Sequence, residues 1–442
     1  MDYKFPKDFF FGVSNAAAQV EDGLDDPWLK LAEEGKIPRF NNVPHPTERL
    51  RFWSEPEIEI NLAKELGVDV FRLSFEWSRL VPEKGVWNAE ASSHYRSILE
   101  SIRNSGIKVM ATLFHHSVPI WFQDAGGWKN SNSIEDFDFY SKKALEGFGD
   151  LVDYWITLNE PVPWSFLTYK EGIFPPGRKG SFLAHNLALK NMASAHNKFF
   201  KHAHNLNPDI KIGIAHHMGW HRGRGLFNKM LSFFSDYLAH WSFIKLIKRN
   251  MDFFGINYYG AEWMSLKGPA QYPELEYSDA GRAVSPKGLE IQLKRIHKKC
   301  PQIPIIVSEN GVGDDEDWIR PAYIYEHLLA IHKCIEEGVP VVGYVHWTLS
   351  DNFEWSDGYG PKFGLVKVDR ENRLKRIPRG SYELYKNLIK NKGLTKEERN
   401  AAWDNYTSKA GHKRKYWRAS DNKSGLNTPT NRCVSGNDWR YF

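Results

Sequence analysis

Apolar runs rich in β-branched and aromatic residues recur along the chain and alternate with longer segments that carry apolar residues at helical spacing. Each run is five to seven residues long, as expected for a buried strand, and the segments between them are long enough for helices. The runs predict eight strands, at residues 9–14, 68–74, 108–114, 152–158, 211–215, 253–257, 303–308 and 341–347. The intervening segments predict helices at residues 55–66, 92–105, 134–149, 182–205, 225–249, 287–300, 323–338 and 379–390.

A strand followed by a helix, repeated eight times, is typical of a (β/α)8 barrel. We therefore predict an α/β fold, a single (β/α)8 TIM barrel that spans residues 1–391 and carries the catalytic site. Residues 392–442 are predicted to form a basic, aromatic C-terminal extension, packed on the barrel or facing a membrane. In such barrels the catalytic groups come from the C-terminal ends of the strands.

Two glutamates lie where predicted strands end, since Glu160 follows the fourth strand and Glu309 follows the seventh. A carboxylate at the end of a core strand is unfavourable unless it has a partner or a task. Two carboxylates that face one another suit the acid and nucleophile roles at a glycosidic bond, so we predict glycosyl-transfer chemistry. The alternative is that both glutamates are structural and pair with arginines, because ion-pair networks also place carboxylates in such positions.

Polar and aromatic residues gather at the ends of other predicted strands as well. They are Gln19, Glu21, Arg72, His115, His116, Asn257, Tyr259 and residues 347–355. A sugar requires carboxylates and amides for its hydroxyl groups and an aromatic face for its C–H side, which a pocket of this composition supplies. Individually, a buried arginine can be a structural ion-pair partner and a tryptophan can belong to the core. The number of such strand ends favours a binding pocket.

The composition is that of a globular protein, since 41% of the 442 residues are hydrophobic and 26% are charged. No stretch approaches the roughly 20 apolar residues of a membrane span, and residues 1–6 lack the basic and apolar regions of a signal peptide. We therefore expect a soluble chain. Three widely spaced cysteines, Cys300, Cys334 and Cys433, indicate neither a disulfide framework nor a metal site, which favours a reducing compartment.

The positive charge is concentrated at the C-terminal end. Residues 392–442 contain eleven Lys and Arg against five Asp and Glu, whereas the rest of the chain has a net charge of −1. Cations and aromatic residues are interleaved at 409–418 and 438–442, which suits an anionic membrane surface. A strap packed on the barrel with its cations in solvent is the other interpretation. Nucleic-acid binding is disfavoured because the rest of the chain is near neutral and carries no nucleic-acid motif.

Five motifs cover most of the chain in a distinctive order: FRLSFEWSR at 71–79, TLNEP at 157–161, FFGINYY at 253–259, SENG at 308–311 and WTLSDNFEW at 347–355. Together they resemble glycoside hydrolase family 1, the retaining β-glycosidases. The resemblance implies that Glu160 is the general acid/base, that Glu309 is the nucleophile, and that Arg72 and Tyr259 hold the nucleophile. It also implies a sugar site formed by Gln19, His115, Asn159, Asn257, Trp347, Glu354 and Trp355.

In a retaining mechanism the two carboxyl groups stand roughly 5–5.5 Å apart, and one attacks the anomeric carbon while the other protonates the leaving oxygen. We expect Arg72 and Tyr259 to keep Glu309 ionised, and we expect a raised pKa for Glu160, which must carry its proton near neutral pH. No cofactor is expected. Magnesium could stimulate such an enzyme through a membrane surface, although no ligand set for the ion is apparent.

Several departures from the common family pattern resemble one branch, the plant sensitive-to-freezing galactolipid:galactolipid galactosyltransferases. His116 and Ser117 stand where most members have Trp and Asp, Asp22 stands where glycine is usual, and the segment between strands five and six is short. The branch implies β-galactosyl transfer between galactolipids, peripheral membrane contact and, in plant relatives, the chloroplast envelope. It would give the apolar segment 226–234 a membrane-facing role, although an amphipathic helix of this kind is expected to pack on the barrel.

Three other functions are compatible with the sequence. A soluble β-glucosidase or β-galactosidase would transfer the glycosyl group to water. A noncatalytic sugar- or lipid-binding barrel would be expected to have lost one of the two glutamates. A metal-dependent hydrolase could use the pairs 115–116 and 216–217, but adjacent histidines on a strand point to opposite sides, so each pair offers at most one inward ligand.

Overall fold

The computed structural model describes residues 2–37, 48–417 and 428–442, and in it eight parallel strands close into a barrel. In chain order they are β1 (Phe10–Ser14), β2 (Val70–Ser74), β3 (Lys108–Phe114), β4 (Tyr154–Asn159), β5 (Ile212–His217), β6 (Phe253–Tyr258), β7 (Ile305–Asn310) and β8 (Val341–Trp347). Each strand pairs with the next, and β8 pairs with β1 to close the ring. The predicted (β/α)8 barrel is confirmed, and each predicted strand agrees with an observed one to within two residues at both ends.

The barrel interior is filled by a cluster that takes one apolar side chain from each strand. The members are Phe10, Val70, Met110, Ile156, Ala215, Phe253, Ile306 and Val345. Tyr154 lies between two of these rings, with centroids 5.6 Å from Phe10 and 5.8 Å from Phe253. Gly343 makes room for the packing, because a Cβ there would lie 2.2 Å from the Phe10 ring. The interior is therefore solid core, and a substrate site must lie at a mouth of the barrel.

Each strand leads into a helix of the outer ring. The ring helices are α1 (Glu57–Leu66), α2 (Ala89–Asn104), α3 (Ser133–Phe148), α4 (Phe182–Leu206), α5 (Gly225–Asp236), α6 (Pro286–Lys299), α7 (Arg320–Glu336) and α8 (Gly380–Asn391). Side chains fix where three of them begin, since Asn88, Ser181 and Ser285 each accept a hydrogen bond from the backbone N–H three residues later. Shorter helices lie in the loops, at Ala17–Val20, Pro27–Glu33, Trp77–Leu80, Ile120–Asp124, Pro161–Phe166 and Ser242–Ile247.

The loops also contain small sheets that the sequence pattern does not predict. Trp220–Gly223, Ala261–Ser265 and Gly268–Pro269 form a three-stranded sheet. Its first strand follows β5 in the chain, and the other two follow β6. Antiparallel pairs join Tyr3–Lys4 to Gly393–Leu394 and Val366–Asp369 to Lys375–Pro378. Single turns of 3-10 helix occur at Gly127–Lys129 and Trp355–Asp357, and π-turns occur at Leu167–Glu171 and Tyr237–Trp241.

Segment 225–249 is helical from Gly225 to Ile247, with a π-turn at Tyr237–Trp241, but the apolar run 226–234 does not pack on the barrel, so that prediction is wrong. Leu226, Phe227 and Phe233 are 70–73% exposed. The buried positions of α5 are instead Ser232 and Asp236, and Asp236 pairs with Arg295 of α6 at 2.8 Å. An amphipathic pattern shows that a helix has an apolar face but not what that face meets. Here the polar face meets the protein, whereas the later segment Ser242–Ile247 buries Phe243, Ile244 and Ile247.

The described residues after 394, at 395–417 and 428–442, pack against the barrel. Helix α9 (Lys396–Ser408) was not predicted, and its Trp403 ring lies 4.5 Å from that of buried Trp439. A hairpin of Lys413–Tyr416 and Thr430–Cys433 follows. In the described part of the extension Arg414 is buried and pairs with Glu276 and Asp279, whereas the strap interpretation leaves its cations in solvent. Met1 and Arg418, which belong to the segments discussed above, lie outside the described residues.

Across the described helices, none combines the length and the apolar character that a membrane crossing requires.

Candidate active site

Glu160 and Glu309 lie at the C-terminal mouth of the barrel, where the sequence places them. Glu309 is in β7 and buried, and Glu160 follows directly after β4 as the residue before helix Pro161–Phe166. Glu160 has a φ of 46°, in the left-handed region that costs a non-glycine residue about 1–2 kcal/mol. Such strain persists where the surrounding structure fixes a side chain for a purpose, which fits a functional carboxylate.

Glu309 is held by two donors, one in β2 across the barrel and one directly after β6. Arg72 of β2 donates to its Oε1 from Nη1, and the Tyr259 hydroxyl donates to its Oε2 at 2.5 Å. The Arg72 guanidinium is fully buried and also donates to the Ser308 carbonyl at 3.0 Å. Burial raises the pKa of Glu309, as does the charge of Glu160, while Arg72 and Tyr259 oppose the rise. The two predicted holding residues therefore do contact the carboxylate.

A continuous hydrogen-bond network joins the two glutamates. Arg72 donates from Nη2 to Asn159 Oδ1 at 2.7 Å, and Asn257 Nδ2 donates to the same oxygen at 3.1 Å. The Asn257 amide also donates to Glu160 Oε1 at 3.0 Å. Ser308 fixes the orientation of that amide by donating to its Oδ1 at 2.7 Å. The carboxylates are thus positioned relative to one another by residues from β2, β4, β6 and β7.

Glu160 has a neighbour that changes its electrostatics. His217, at the end of β5, places Nδ1 3.5 Å from Glu160 Oε1, and its Nε2 lies 2.9 Å from Glu262 Oε1. Burial favours a neutral Glu160, but His217 outweighs it and lowers the Glu160 pKa to about 2. Burial likewise opposes charge on His217, yet Glu160 and Glu262 raise its pKa to about 9. The expected raised pKa of Glu160 is therefore wrong for the resting protein, because a charged His217 favours the ionised form of Glu160.

His217 and Glu262 are the members of the site that sequence reasoning missed. The histidine pair 216–217 stands out only as a candidate for metal binding. Glu262 reaches it because Ala261–Ser265 pairs with Trp220–Gly223, two short strands that carry no clear pattern. The one signal in the sequence for this part of the site was the pair of adjacent histidines at 216–217, directly after a predicted strand.

The inner part of the cavity has the aromatic and acidic walls that were predicted for a sugar site. His115, Asn159, Trp347, Glu354 and Trp355 all line it, together with both glutamates. The His115 ring lies 5.7 Å from that of Trp347, and its Nε2 lies 3.9 Å from Glu309 Oε1. Burial and the nearby Asp357 raise the pKa of Glu354 to about 8.

Two predicted sugar-site residues lie behind this wall. Gln19 is fully buried and donates from Nε2 to the Phe353 carbonyl at 2.5 Å, and it does not line the cavity. Asn257 acts on the site through its bonds to Glu160 and Asn159. Through its bond to the Phe353 carbonyl, Gln19 supports the loop that carries Glu354 and Trp355.

His116 enters the cavity beside His115, so the expectation that only one of these two points inward is wrong. The alternation of a strand no longer applies, because β3 ends at Phe114 and His116 has a φ of 62°. Its ring lies 5.0 Å from that of Trp355. Ser117 turns away and donates to Glu76 at 3.0 Å. Within residues 2–37, 48–417 and 428–442, no group of three or more His, Cys, Asp or Glu side chains is arranged to hold a metal ion.

The outer part of the cavity is apolar. The whole cavity has a volume of about 700 Å³, and its apolar lining includes Val162, Phe166, Phe182, Leu231, Phe234 and Leu238. Phe234 and Leu238 are 59% and 61% exposed, so this wall continues onto the protein surface. The arrangement therefore offers a polar, aromatic end with two carboxylates and an apolar exit, which is the shape required by a sugar attached to an apolar group.

Comparisons with known proteins agree with this geometry. A family model described as Glycosyl hydrolase family 1 matches residues 1–226 and 242–394. The galactolipid galactosyltransferase SFR2, chloroplastic, of Arabidopsis thaliana is 38% identical over 98% of this chain and 82% of its own length. The beta-glucosidase-like SFR2, chloroplastic, of Oryza sativa subsp. japonica is 40% identical over 92% of this chain and 67% of its own length.

A solved structure has the same fold. The beta-glycosidase from Pyrococcus horikoshii superimposes with a TM-score of 0.83 at 28% identity, covering 91% of this chain and 98% of that one. The eight-stranded barrel, the two glutamates at its mouth and the family match across most of the chain all agree. This chain therefore belongs to glycosyl hydrolase family 1.

Proposed function

We propose that this protein is a retaining β-galactosyltransferase that moves galactose from one galactolipid to another at a membrane surface. Its relative in Arabidopsis thaliana carries the name of a galactolipid galactosyltransferase, and the match spans nearly the whole chain. The reaction uses the carboxylate pair at the barrel mouth, and the lipid is accommodated by the apolar outer cavity.

The chemistry follows from the positions of the two glutamates. Glu309 attacks the anomeric carbon of the donor galactose while the leaving glycerol oxygen receives a proton through Glu160, and diacylglycerol departs. Glu309 then carries the galactosyl group in an ester. The hydroxyl of a second galactolipid gives its proton to Glu160 and attacks the anomeric carbon, which releases Glu309 as a carboxylate. Arg72 and Tyr259, which contact Glu309, stabilise the carboxylate that forms.

One observation favours a lipid over a soluble glycoside: the apolar wall of the cavity continues into an exposed apolar surface. This apolar face consists of Phe182 and Leu183 of α4 and Leu226, Phe227, Met230, Phe233, Phe234 and Leu238 of the α5 segment. Each of these side chains is more than half exposed, and Phe182, Phe234 and Leu238 also line the cavity. Contiguous exposed apolar residues of this kind mark an interaction site. Phe182, Phe234 and Leu238 therefore offer an acyl chain a continuous apolar contact from the cavity to this face.

The charges near the apolar face suit a peripheral membrane contact. The segment 225–249 contains four Lys and Arg residues against one Asp, and the Asp is the buried Asp236. Basic residues next to an apolar helix face are attracted to anionic headgroups, each contributing about 1 kcal/mol. The face would then rest in the headgroup layer and hold the barrel mouth towards the bilayer. Membrane attachment by this route needs no spanning helix.

Incubation of the purified protein with vesicles of monogalactosyldiacylglycerol tests this function. We expect di- and trigalactosyl lipids together with free diacylglycerol, and a comparison with and without magnesium shows whether the ion stimulates the reaction. Free galactose as the sole sugar product would instead identify a galactolipid hydrolase. Cleavage of nitrophenyl β-glycosides without any reaction on the vesicles would identify an ordinary β-glycosidase and refute the proposal.

A further inference from the structure

Glu160 lies beside a histidine–glutamate pair, His217 and Glu262, that the two-glutamate mechanism does not require. The Nδ1 atom of His217 is buried, faces Glu160 Oε1 at 3.5 Å, and makes no hydrogen bond within the described residues. The other nitrogen, Nε2, lies 2.9 Å from Glu262 Oε1. An imidazole bound by a carboxylate on one side is oriented with its free nitrogen towards the reacting group, as a carboxylate orients a catalytic histidine.

The fold is built to allow this approach. Ala261–Ser265 pairs in parallel with Trp220–Gly223, and this pairing brings Glu262 opposite His221. Gly219 sits between the two side chains, and a Cβ there would lie 2.7 Å from Glu262 Oε1 and 3.1 Å from His217 Nε2. Only a glycine therefore leaves room for the contact between the histidine and the carboxylate.

The two carboxylates beside His217, Glu160 and Glu262, favour its charged form. The surrounding titratable and charged residues are Glu160, Tyr259, Glu262, His216, His221, His240 and Arg282. Burial lowers the pKa of His216 to about 4 and holds the pKa of His240 well below its ordinary value, so both are neutral. Arg282 is a fixed cation near Glu160 and Glu262. His217 is thus the titrating cation that directly faces Glu160.

We propose that His217 is a positioning residue that holds the catalytic proton on behalf of Glu160, with Glu262 as its charge partner. The inference rests on the proposed function, in which Glu160 is the acid/base. In the first half-reaction the proton on His217 Nδ1 passes to Glu160 and from there to the leaving oxygen. The anomeric C–O bond breaks, the bond to Glu309 forms, and His217 is left neutral.

The second half-reaction restores the starting state. The acceptor hydroxyl gives its proton to Glu160, which passes it to His217 Nδ1, while the acceptor oxygen bonds to the anomeric carbon and Glu309 leaves as a carboxylate. One proton enters and one leaves, so the pair is balanced over a cycle. The pair keeps that proton until the pH approaches the His217 pKa of about 9. A lone carboxylic acid in a buried catalytic site loses its proton near a pH of about 6.

The pH dependence of kcat/KM tests this role, measured with an alkyl β-galactoside whose poor leaving group needs the proton. We expect the basic limb to fall by about 3 pH units in His217→Asn, because the proton is then held by Glu160 alone, which loses it near a pH of about 6, rather than by His217 with its pKa of about 9. Glu262→Gln leaves the imidazole but removes its charge partner, so its basic limb falls as well. His221→Asn is the matched control, since His221 lies 3.5 Å from Glu262 and its ion-pair contact is with Glu262 rather than Glu160. Its basic limb should stay close to that of the wild type.

A dinitrophenyl β-galactoside separates the proton role from a merely structural one. Its leaving group needs no proton, so the first half-reaction on this substrate should retain its rate in His217→Asn and Glu262→Gln. An unchanged basic limb on the alkyl galactoside in both variants would overturn the inference. If His217→Asn does not fold, Glu262→Gln carries the test.

Failure of the inference is distinguishable from failure of the proposed function. If the wild type cleaves neither galactoside, or if Glu160→Ala keeps full activity on the alkyl galactoside, the proposed function itself is wrong. If Glu160→Ala loses that activity and the histidine variant keeps the wild-type pH profile, only the role of His217 is wrong.

Discussion

Placing two aspartates on the apolar face should detach the protein from galactolipid vesicles. Phe227 and Phe233 are 73% and 70% exposed, and neither lines the cavity. Burying a whole phenylalanine is worth about 1.5–3 kcal/mol, so the exposed part of each ring contributes about 1–2 kcal/mol on entering the headgroup layer. Phe227→Asp with Phe233→Asp should therefore remove about 2–4 kcal/mol, which weakens vesicle binding roughly 30- to 700-fold.

Flotation with vesicles of galactolipid measures this binding, and hydrolysis of a soluble nitrophenyl β-galactoside shows whether the catalytic site is intact. Leu206→Asp is the matched control, because Leu206 is 62% exposed and ends the same helix that Phe182 begins. At about 1.5 Å per residue the two ends of that helix are roughly 36 Å apart, so the control lies far from the mouth. Equal flotation of the double variant and the wild type would refute a membrane role for this face.

Three further substitutions test other parts of the structure. Glu309→Gln should prevent formation of the covalent intermediate without loss of the fold, as judged by mass spectrometry and circular dichroism, and full residual turnover would contradict its role. Glu160→Ala should lose activity on poor leaving groups and recover turnover of aryl galactosides on addition of azide; a variant that azide does not rescue would count against an acid/base. Arg414→Met leaves Glu276 and Asp279 buried without their cation, so urea denaturation should show a loss of about 3–5 kcal/mol in unfolding free energy. The exposed neighbour in Lys413→Met should cost little, and equal losses in the two variants would argue against the buried pair.

The barrel could be predicted because its strands carry an unambiguous pattern. Five-residue to seven-residue apolar runs such as β3 and β8 are buried along nearly their whole length, and continuous burial favours β-branched and aromatic residues at every position. Helix α9 escaped prediction because only Ala402, Trp403 and Tyr406 are buried in it. Three buried positions in thirteen residues do not form a periodic apolar stripe.

The sequence pattern could not show which face of the amphipathic helix α5 meets the protein. The run from Leu226 to Phe234 has the spacing of a core helix, yet its apolar side chains are exposed. The ion pair of Asp236 with Arg295 ties the polar face of α5 to α6 instead. A contact between residues 59 positions apart leaves no local trace in the sequence.

The candidate site, like the fold, could be predicted only in part. Glu160 and Glu309, with Arg72, Asn159 and Tyr259, could be proposed from strand ends and motifs, and the structure places all five together. Neither the cluster of His217 with Glu262 nor the inward turn of His116 could be proposed. Both depend on loop geometry: a pairing between two short strands in one case, and a positive φ after the end of a strand in the other.

The covalent galactosyl-enzyme offers the most direct test of the central claim. Treatment with 2-deoxy-2-fluoro-β-galactosyl fluoride should trap the intermediate, and peptide mapping should place a single adduct on Glu309 that is absent from Glu309→Gln. Regeneration of free enzyme should then be faster with galactolipid vesicles than in buffer, and the galactosyl group should appear on the lipid. An adduct on another residue, or regeneration at the same rate with and without lipid, would contradict retaining galactosyl transfer between galactolipids.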